Sequence, residues 1–177
     1  DMQARLAERI AVTPPGDWVI GSGWVTFDGR YPDRHDLDPV SPKHPVMVLN
    51  QGGHMAAVNS LALEMAGVTA QTPDPGNGRF LREADGKPSG TVMNHPAMDA
   101  FRRLWPPELF DLKAMEASIL SPQAKFASMG VTSFHDVYAR DMDRMLAYFD
   151  IARRGEMTIR GQVMNVLEYA KELDGRI

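Results

Sequence analysis

The side chains best suited to chemistry near neutral pH are five histidines: His35, His44, His54, His95 and His135. Imidazole binds metals and exchanges protons in that pH range. No two of these histidines have the spacing of a local metal motif such as HxH, HxxxH or HExxH, and cysteine ligands are absent. The sequence therefore predicts no self-contained metal site. It leaves open a site that distant strand ends assemble from two of His54, His95 and His135.

Other catalytic patterns are absent or ambiguous. There is no GxSxG elbow for a serine nucleophile, and the glycine clusters match neither a phosphate-binding loop nor a dinucleotide-binding loop. Two carboxylates, Asp99 and Asp136, could act as a general acid or base. Because most such residues face solvent or cap helices, both interpretations stay open for each of them.

The composition limits the classes of partner. The 177 residues are 44% hydrophobic, which is enough for one domain with a real core. A formal charge of -4 and an isoelectric point near 5.7 provide no field that would hold a polyanion, so nucleic acid is not an expected partner. No apolar run approaches the roughly 20 residues that span a bilayer, so no membrane is expected either. We expect a cytoplasmic protein, although the lack of cysteine fits several compartments.

Two strands are predicted near the start of the chain. Residues 18–25 and 45–49 are rich in β-branched and aromatic residues, whereas the polar residues 28–42 between them predict an irregular connector. His54 follows the second strand in a glycine turn, and ligands collect at such strand ends in α/β folds. His54 either contacts a ligand there or hydrogen-bonds the turn backbone. Trp24 is expected in the core or in a pocket wall, with ligand stacking as the alternative.

Capping and turn signals follow that glycine turn. Asn59 or Ser60 is expected to cap a short helix, and Gly67 is expected to end it in the left-handed conformation. Residues 79–94 predict a β-hairpin because two strand-like runs flank an Asp-Gly turn.

The C-terminal third has the pattern of a βαβ unit. Residues 131–134 predict a short buried strand that finishes in His135 and Asp136, so a histidine again lies at a strand end. Residues 142–153 predict a helix, and residues 157–167 predict a second strand. Two strands that one helix connects are expected to pair in parallel.

Several stretches occur together in the order of a known family: PPGDWVIGSGW, RHDLDPVSPKHPVMV, GHMAAVNSLALEMAGV, TPDPGNGRFLREADGKPSGTVMN and GVTSFHDV. Together they resemble the amidohydrolase superfamily, in its branch of YtcJ-like and N-substituted formamide deformylase-like metal-dependent hydrolases. The resemblance implies a (β/α)8 barrel with a small β-sandwich domain. It also implies that metal-activated water hydrolyses a C–N amide-type bond of a small-molecule substrate, with a divalent metal that is expected to be zinc.

The resemblance further implies that this chain is an internal fragment. In that family the metal-binding HxH lies on the first barrel strand, and this sequence lacks it. The expected fold is a partial (β/α) barrel of the α/β class with an inserted strand-helix-hairpin subdomain. Residues 1–106 would be the insertion after the first barrel strand, and residues 107–177 a helix plus a βαβ part of the barrel. We expect the fragment to be inactive alone, and its uncovered strand edges to associate in a homo-oligomer.

Candidate substrate-binding residues also follow from the resemblance. His54 and His135 match family positions that face the mouth of the active site, and Asp136 and Trp24 complete the set. No metal ligand is expected within this fragment. In many relatives an acidic residue occurs near the position of Asn94, so no catalytic residue is assigned there. The alternative function is a complete, non-catalytic α/β domain that binds a small molecule or a partner through the His54 turn.

Overall fold

The computed structural model describes residues 2–25, 29–139 and 142–165 of the chain. The chain divides into two units, Asp1–Trp105 and Pro106–Ile177, next to the boundary predicted between residues 106 and 107. Both units combine helices with strands, so the fold is mixed α/β. The roles of the two parts as an insertion and as a piece of a barrel stay predictions. No helix within the described residues is long and apolar enough to cross a bilayer.

A five-stranded sheet forms the first unit. Its strands are β1 (Val19–Trp24), β2 (Val46–Asn50), β3 (Met55–Val58), β4 (Arg79–Arg82) and β5 (Pro88–Met93). The unit also contains the helices α1 (Met2–Ile10), α2 (Arg34–Leu37), α3 (Ser60–Met65) and α4 (His95–Arg102). The strand order is β1-β2-β3-β5-β4. Strands β1 and β2 are parallel, and the remaining neighbours are antiparallel.

Apolar side chains form two core clusters, which divide the residues of β2 between them. Met47 packs in one cluster with side chains of α3 and α4. Its neighbours Val46 and Val48 pack in the other cluster with Leu6 of α1 and Leu37 of α2. Successive residues of a strand point to opposite faces, which explains this division. Both faces of the sheet are therefore covered.

Strand β3 was not predicted from the sequence. Its residues, MAAV, are all buried, so the polar alternation that marks a half-exposed strand is missing. β3 pairs antiparallel with β2, which makes residues 51–54 a hairpin turn. His54 lies in that turn. The argument that ligands collect at the carboxyl ends of parallel strands therefore applies here only to the pair of β1 and β2.

The predicted helix cap and hairpin are confirmed. Asn59 caps α3 through its side-chain oxygen, which accepts a hydrogen bond of 3.0 Å from the backbone N–H of Ala62. Gly67 follows the helix with a φ of +64°. β4 and β5 pair antiparallel, and Gly86 in the turn between them has a φ of +85°.

The polar connector at residues 28–42 is more ordered than predicted. It contains α2, whose N-terminus carries a capping box between Asp33 and Asp36, and a 3-10 turn at Asp38–Val40. Leu37 is 0% exposed and anchors the segment in the core. The prediction failed because a few scattered apolar residues among many polar ones give no periodic signal.

The second unit contains the predicted βαβ pattern. Its elements are α5 (Leu112–Leu120), α6 (Gln123–Ser128), β6 (Ser133–Ala139), α7 (Met142–Arg153) and β7 (Arg160–Asn165). β6 and β7 pair in parallel, which confirms the prediction. Strand β6 is longer than predicted, so His135 and Asp136 lie within it rather than at its end. One face of β6 is exposed, as the exposure of Val137 shows, so the strand can contain polar side chains on that face. His135 and Asp136 therefore do not end it.

Candidate functional site

The side chain of His54 meets that of His95 at one end of the first sheet. The two ring centroids are 5.6 Å apart, and the rings meet edge to face at 60°. His54 comes from the hairpin turn between β2 and β3, whereas His95 is the first residue of α4, directly after β5. His54 is exposed and His95 is half-buried. The first unit therefore presents a pair of imidazoles that two neighbouring elements bring together.

Asn94 links these two elements through an unusual backbone conformation. Its φ is 61° and its ψ is 157°, a region that only glycine populates readily. It is the one non-glycine residue with positive φ in the described part of the chain. The N–H of Asn94 donates a hydrogen bond of 2.7 Å to the carbonyl of His54, and its side-chain amide donates one of 2.8 Å to the carbonyl of Asn77. Such conformations persist where surrounding contacts enforce them, and they concentrate at functional sites.

An ion pair on α4 supports the His95 ring. Nη1 of Arg102 lies 3.0 Å from Nδ1 of His95 and 3.2 Å from Oδ1 of Asp99. Arginine can only donate hydrogen bonds, so Nδ1 of His95 must be the acceptor. This contact favours the tautomer of His95 that carries its proton on Nε2.

Trp24 is a core residue rather than a stacking platform. Its side chain is 5% exposed, and its indole N–H donates a hydrogen bond of 2.8 Å to the carbonyl of Val48. It borders a hollow of about 410 Å³ that also includes Asn50, its partner in the β1–β2 register. His54 is not among the described residues that line this hollow. His54 therefore does not line the hollow that Trp24 borders, although both residues lie in the first unit.

His135 and Asp136 point to opposite faces of β6. His135 is exposed, whereas Asp136 is half-buried and, like Phe134, faces the interior of the second unit. Neighbouring residues on a strand cannot turn their side chains to one face. Within this unit the two side chains do not share one face, and their role in substrate binding stays a prediction.

Asp136 belongs to a polar cluster at a small cavity. Oδ2 of Asp136 accepts a hydrogen bond of 3.0 Å from the hydroxyl of Tyr148 and lies 3.6 Å from the guanidinium of Arg144. The cavity has a volume of about 240 Å³, and apolar residues such as Phe134 and Ile159 form much of its wall. Burial, followed by the charge of Asp136 and the hydrogen bond to it, raises the pKa of Tyr148 to about 12. Tyr148 therefore holds its proton at neutral pH and donates a hydrogen bond to Asp136.

A complete metal site does not occur in the described part of the chain. No group of three or more His, Asp or Glu side chains could hold an ion there. Structural zinc sites use four protein ligands, and catalytic sites use three with one open position. The His54–His95 pair falls short of either set. The described residues by themselves do not fit a catalytic metal.

The fold defines the class of the protein as a mixed α/β chain with two sheets. Its histidines lie in a turn, as His54 does, at the start of a helix, as His95 does, or in a strand, as His135 does. The particular family follows from comparison with known proteins. The chain belongs to the amidohydrolase family, whose sequence pattern matches residues 1–175. This confirms the resemblance seen in the sequence.

The relatives show the same relationship. The chain is 33% identical over 158 residues to the putative amidohydrolase YtcJ of Bacillus subtilis, covering 86% of this chain and 30% of that protein. It is 37% identical over 87 residues to the N-substituted formamide deformylase of Arthrobacter pascens, covering 48% of this chain and 16% of that protein. The fold is similar to that of an uncharacterized metal-dependent hydrolase from Pyrococcus furiosus, with a TM-score of 0.55, 23% identity, and coverage of 97% of this chain and 34% of the other. The chain thus spans about a third or less of the length of these proteins.

Sequence reasoning named His95 and Asp99 as candidates but missed Arg102 and the grouping of the three residues. His95, Asp99 and Arg102 follow one another at intervals of four and three residues, which places them on one face of α4. That spacing was a readable signal. The sequence left a pairing of His54 with His95 open, but it could not single that pair out because the contact depends on the unpredicted strand β3.

Proposed function

We propose that this chain is part of a metal-dependent hydrolase that cleaves C–N amide-type bonds with metal-activated water. The observation that carries the proposal is the family match over residues 1–175. Similarity to a deformylase of N-substituted formamides supports a substrate with an N-substituted amide group. A divalent metal, expected to be zinc, would supply the activated water when bound.

The second unit supports the proposal of a partial (β/α) barrel. Parallel strands that a helix connects are the repeating unit of such barrels, and β6, α7 and β7 form one such unit. The first unit has a mixed sheet with three antiparallel pairings, which a barrel of parallel strands does not contain. We therefore propose that the first unit is an insertion that follows the first barrel strand in the sequence.

The residues of this chain would bind and position substrate rather than metal. We propose that His54 contacts the substrate, because its ring is exposed and its position is fixed from two directions. His135, Asp136 and Trp24 stay weaker candidates, since the last two already use their polar groups within the units. Principal metal ligands would lie outside the described residues. A cytoplasmic location and a homo-oligomer stay predictions from the sequence.

The proposal is tested by hydrolysis assays on the longer protein that contains this chain. A panel of N-substituted formamides and other N-acyl amines is offered before and after treatment with a zinc chelator. We expect hydrolysis that the chelator removes and zinc restores, and no hydrolysis by the 177-residue chain alone. Full activity of the chain alone, or activity of the longer protein that withstands complete metal removal, would contradict the proposal.

A further inference from the structure

We propose that the junction between β5 and α4 acts as a clamp on the imidazole of His54. The clamp positions this ring to donate a hydrogen bond to an oxygen of the substrate, either a carbonyl or a carboxylate. Asn94, His95, Asp99 and Arg102 are its positioning residues. The inference rests on the proposed function, in which His54 contacts substrate, and it adds how the contact is oriented. Two independent restraints reach His54, one on its backbone and one on its ring.

The backbone restraint comes from Asn94. Its N–H donates the 2.7 Å hydrogen bond to the carbonyl of His54, and its carbonyl accepts one of 3.1 Å from Met98, in the first turn of α4. Its left-handed φ with an extended ψ lets the chain leave β5 and enter α4 while keeping the contact with His54. The hairpin turn that carries His54 is thereby tied to the start of a helix whose other face is in the core.

The ring restraint comes from His95. An imidazole ring that can flip offers its neighbour either a nitrogen or a carbon edge, so the neighbour has no fixed surface to pack on. Arg102 removes that freedom because its guanidinium must find the Nδ1 lone pair, and Asp99 holds the guanidinium in place. The charge of Arg102 is balanced by Asp99, so the support does not depend on a buried unpaired charge.

The restraints account for the chemical class of the ligand. A histidine on an exposed turn has several rotamers, and fixing one of them lowers the cost of forming a directed hydrogen bond. A histidine ring donates an N–H whether it is neutral or charged, which suits a carbonyl or carboxylate oxygen. The amide oxygen of an N-acyl substrate is such an acceptor, as is a carboxylate elsewhere on the substrate.

The first test measures the tautomer of His95 in the 177-residue chain by nitrogen NMR of its histidine side chains. We expect His95 to carry its proton on Nε2 and to leave Nδ1 unprotonated. Arg102→Lys keeps a donor and should retain this tautomer, whereas Arg102→Met should give a mixture. A protonated Nδ1 in the unaltered chain, or no change in Arg102→Met, would overturn the proposal.

The second test is a double-mutant cycle in the longer protein. His54→Ala should raise KM about tenfold with kcat retained, the effect of losing one hydrogen bond to substrate. His95→Ala should raise KM by a similar factor in the presence of His54 and by none in the His54→Ala background. A purely structural role of His95 would instead add its effect in both backgrounds, and that result would overturn the clamp.

A matched pair at residue 94 tests the backbone restraint. Asn94→Gly and Asn94→Ala both lose the side-chain bond to Asn77, but only glycine adopts the observed φ and ψ without strain. We expect KM close to that of the unaltered protein for Asn94→Gly and a rise for Asn94→Ala. Equal KM values for the two variants would contradict the backbone restraint. If the longer protein hydrolyses no amide, the proposed function fails, and the tautomer measurement alone decides the clamp.

Discussion

The side-chain amide of Asn59 donates a hydrogen bond of 2.8 Å to the backbone carbonyl of His44. The same nitrogen lies 3.0 Å from the hydroxyl of Ser41, and the Asn59 side-chain oxygen accepts hydrogen bonds of 3.0 Å from the N–H groups of Val46 and Ala62. Asn59 is 1% exposed. One buried side chain therefore ties the start of α3 to the start of β2.

We predict that Asn59→Ala lowers the free energy of unfolding of the first unit by about 3 kcal/mol, because several buried groups lose their partners together. Asn77→Ala is the matched control. Asn77 is exposed, and its recorded contact uses only its backbone carbonyl, so we expect a change within about 0.5 kcal/mol. Urea unfolding followed by tryptophan fluorescence reports this unit, since all three tryptophans lie in residues 1–105. Equal stabilities of the two variants would refute the role of Asn59.

A second prediction concerns Gly90 in β5. Its φ is +94°, and a Cβ there would collide with the carbonyl oxygen of Val58 and lie 2.8 Å from the backbone nitrogen of Arg34. Both neighbours are backbone atoms and cannot move aside. We expect Gly90→Ala to lower the free energy of unfolding by more than about 3 kcal/mol.

Gly86 provides the control for Gly90. It also has a positive φ, +85°, but a Cβ there would meet nothing within 4 Å. Gly86→Ala should therefore lower the free energy of unfolding by only about 1 kcal/mol, which is the effect of the backbone strain alone. If urea unfolding gives the same loss for both variants, the close approach at Gly90 is not the cause of its effect.

A third prediction concerns alkaline pH. The pKa of Tyr148 is raised from 10.0 to about 12 in the folded chain. Between pH 10 and about pH 12 the unfolded chain has lost the Tyr148 proton, whereas the folded chain keeps it. The folded state then binds more protons, so the stability that Tyr148 contributes is complete below pH 10 and falls as the pH rises toward 12.

Ultraviolet titration of tyrosine ionisation measures this shift. Tyr148→Phe should remove the tyrosine transition near pH 12. Asp136→Asn should lower the pKa of Tyr148, because the carboxylate is the second cause of the shift after burial. A Tyr148 transition at the ordinary value in the unaltered chain would show that the contact between Tyr148 and Asp136 does not persist in solution.

A fourth prediction concerns the second unit. Large apolar side chains are exposed on it: Met129 (58%), Val137 (65%), Leu146 (43%), Phe149 (47%) and Met164 (41%). Parallel sheets are normally covered on both faces, and the second unit has two parallel strands. We expect the chain alone to bind a hydrophobic dye and to self-associate, and the longer protein to do neither. A dye-free monomer in size-exclusion chromatography of the chain would contradict this expectation.

Local signals in the sequence were sufficient for six of the seven described strands. β1, β2, the hairpin of β4 and β5, and the βαβ unit were predictable because each has its own alternation, cap or turn residues. β3 was not, since four buried residues between two turns have no period. The end of β6 was misplaced because a polar pair such as His135 and Asp136 is typical of a strand end. In the structure His135 faces solvent from within the strand.

The candidate site was predictable only in part. His54 was identified from its position after a strand, and that position holds. The sequence kept His95 among its possible partners but could not select it, because the contact requires β2, β3 and β5 to be neighbours in one sheet. Asp136 was identified for its type, but its contact with Tyr148 depends on how α7 packs on β6. Side chains that meet through tertiary pairing leave no mark in a single sequence.

The central claim is that this chain belongs to a metal-dependent hydrolase whose principal metal ligands lie outside the described residues. Zinc content after exhaustive dialysis tests it most directly, measured in parallel on the 177-residue chain and on the longer protein. We predict tightly bound zinc in the longer protein and none in the chain alone. Tight stoichiometric zinc in the chain, or a longer protein that hydrolyses amides without any metal, would contradict the claim.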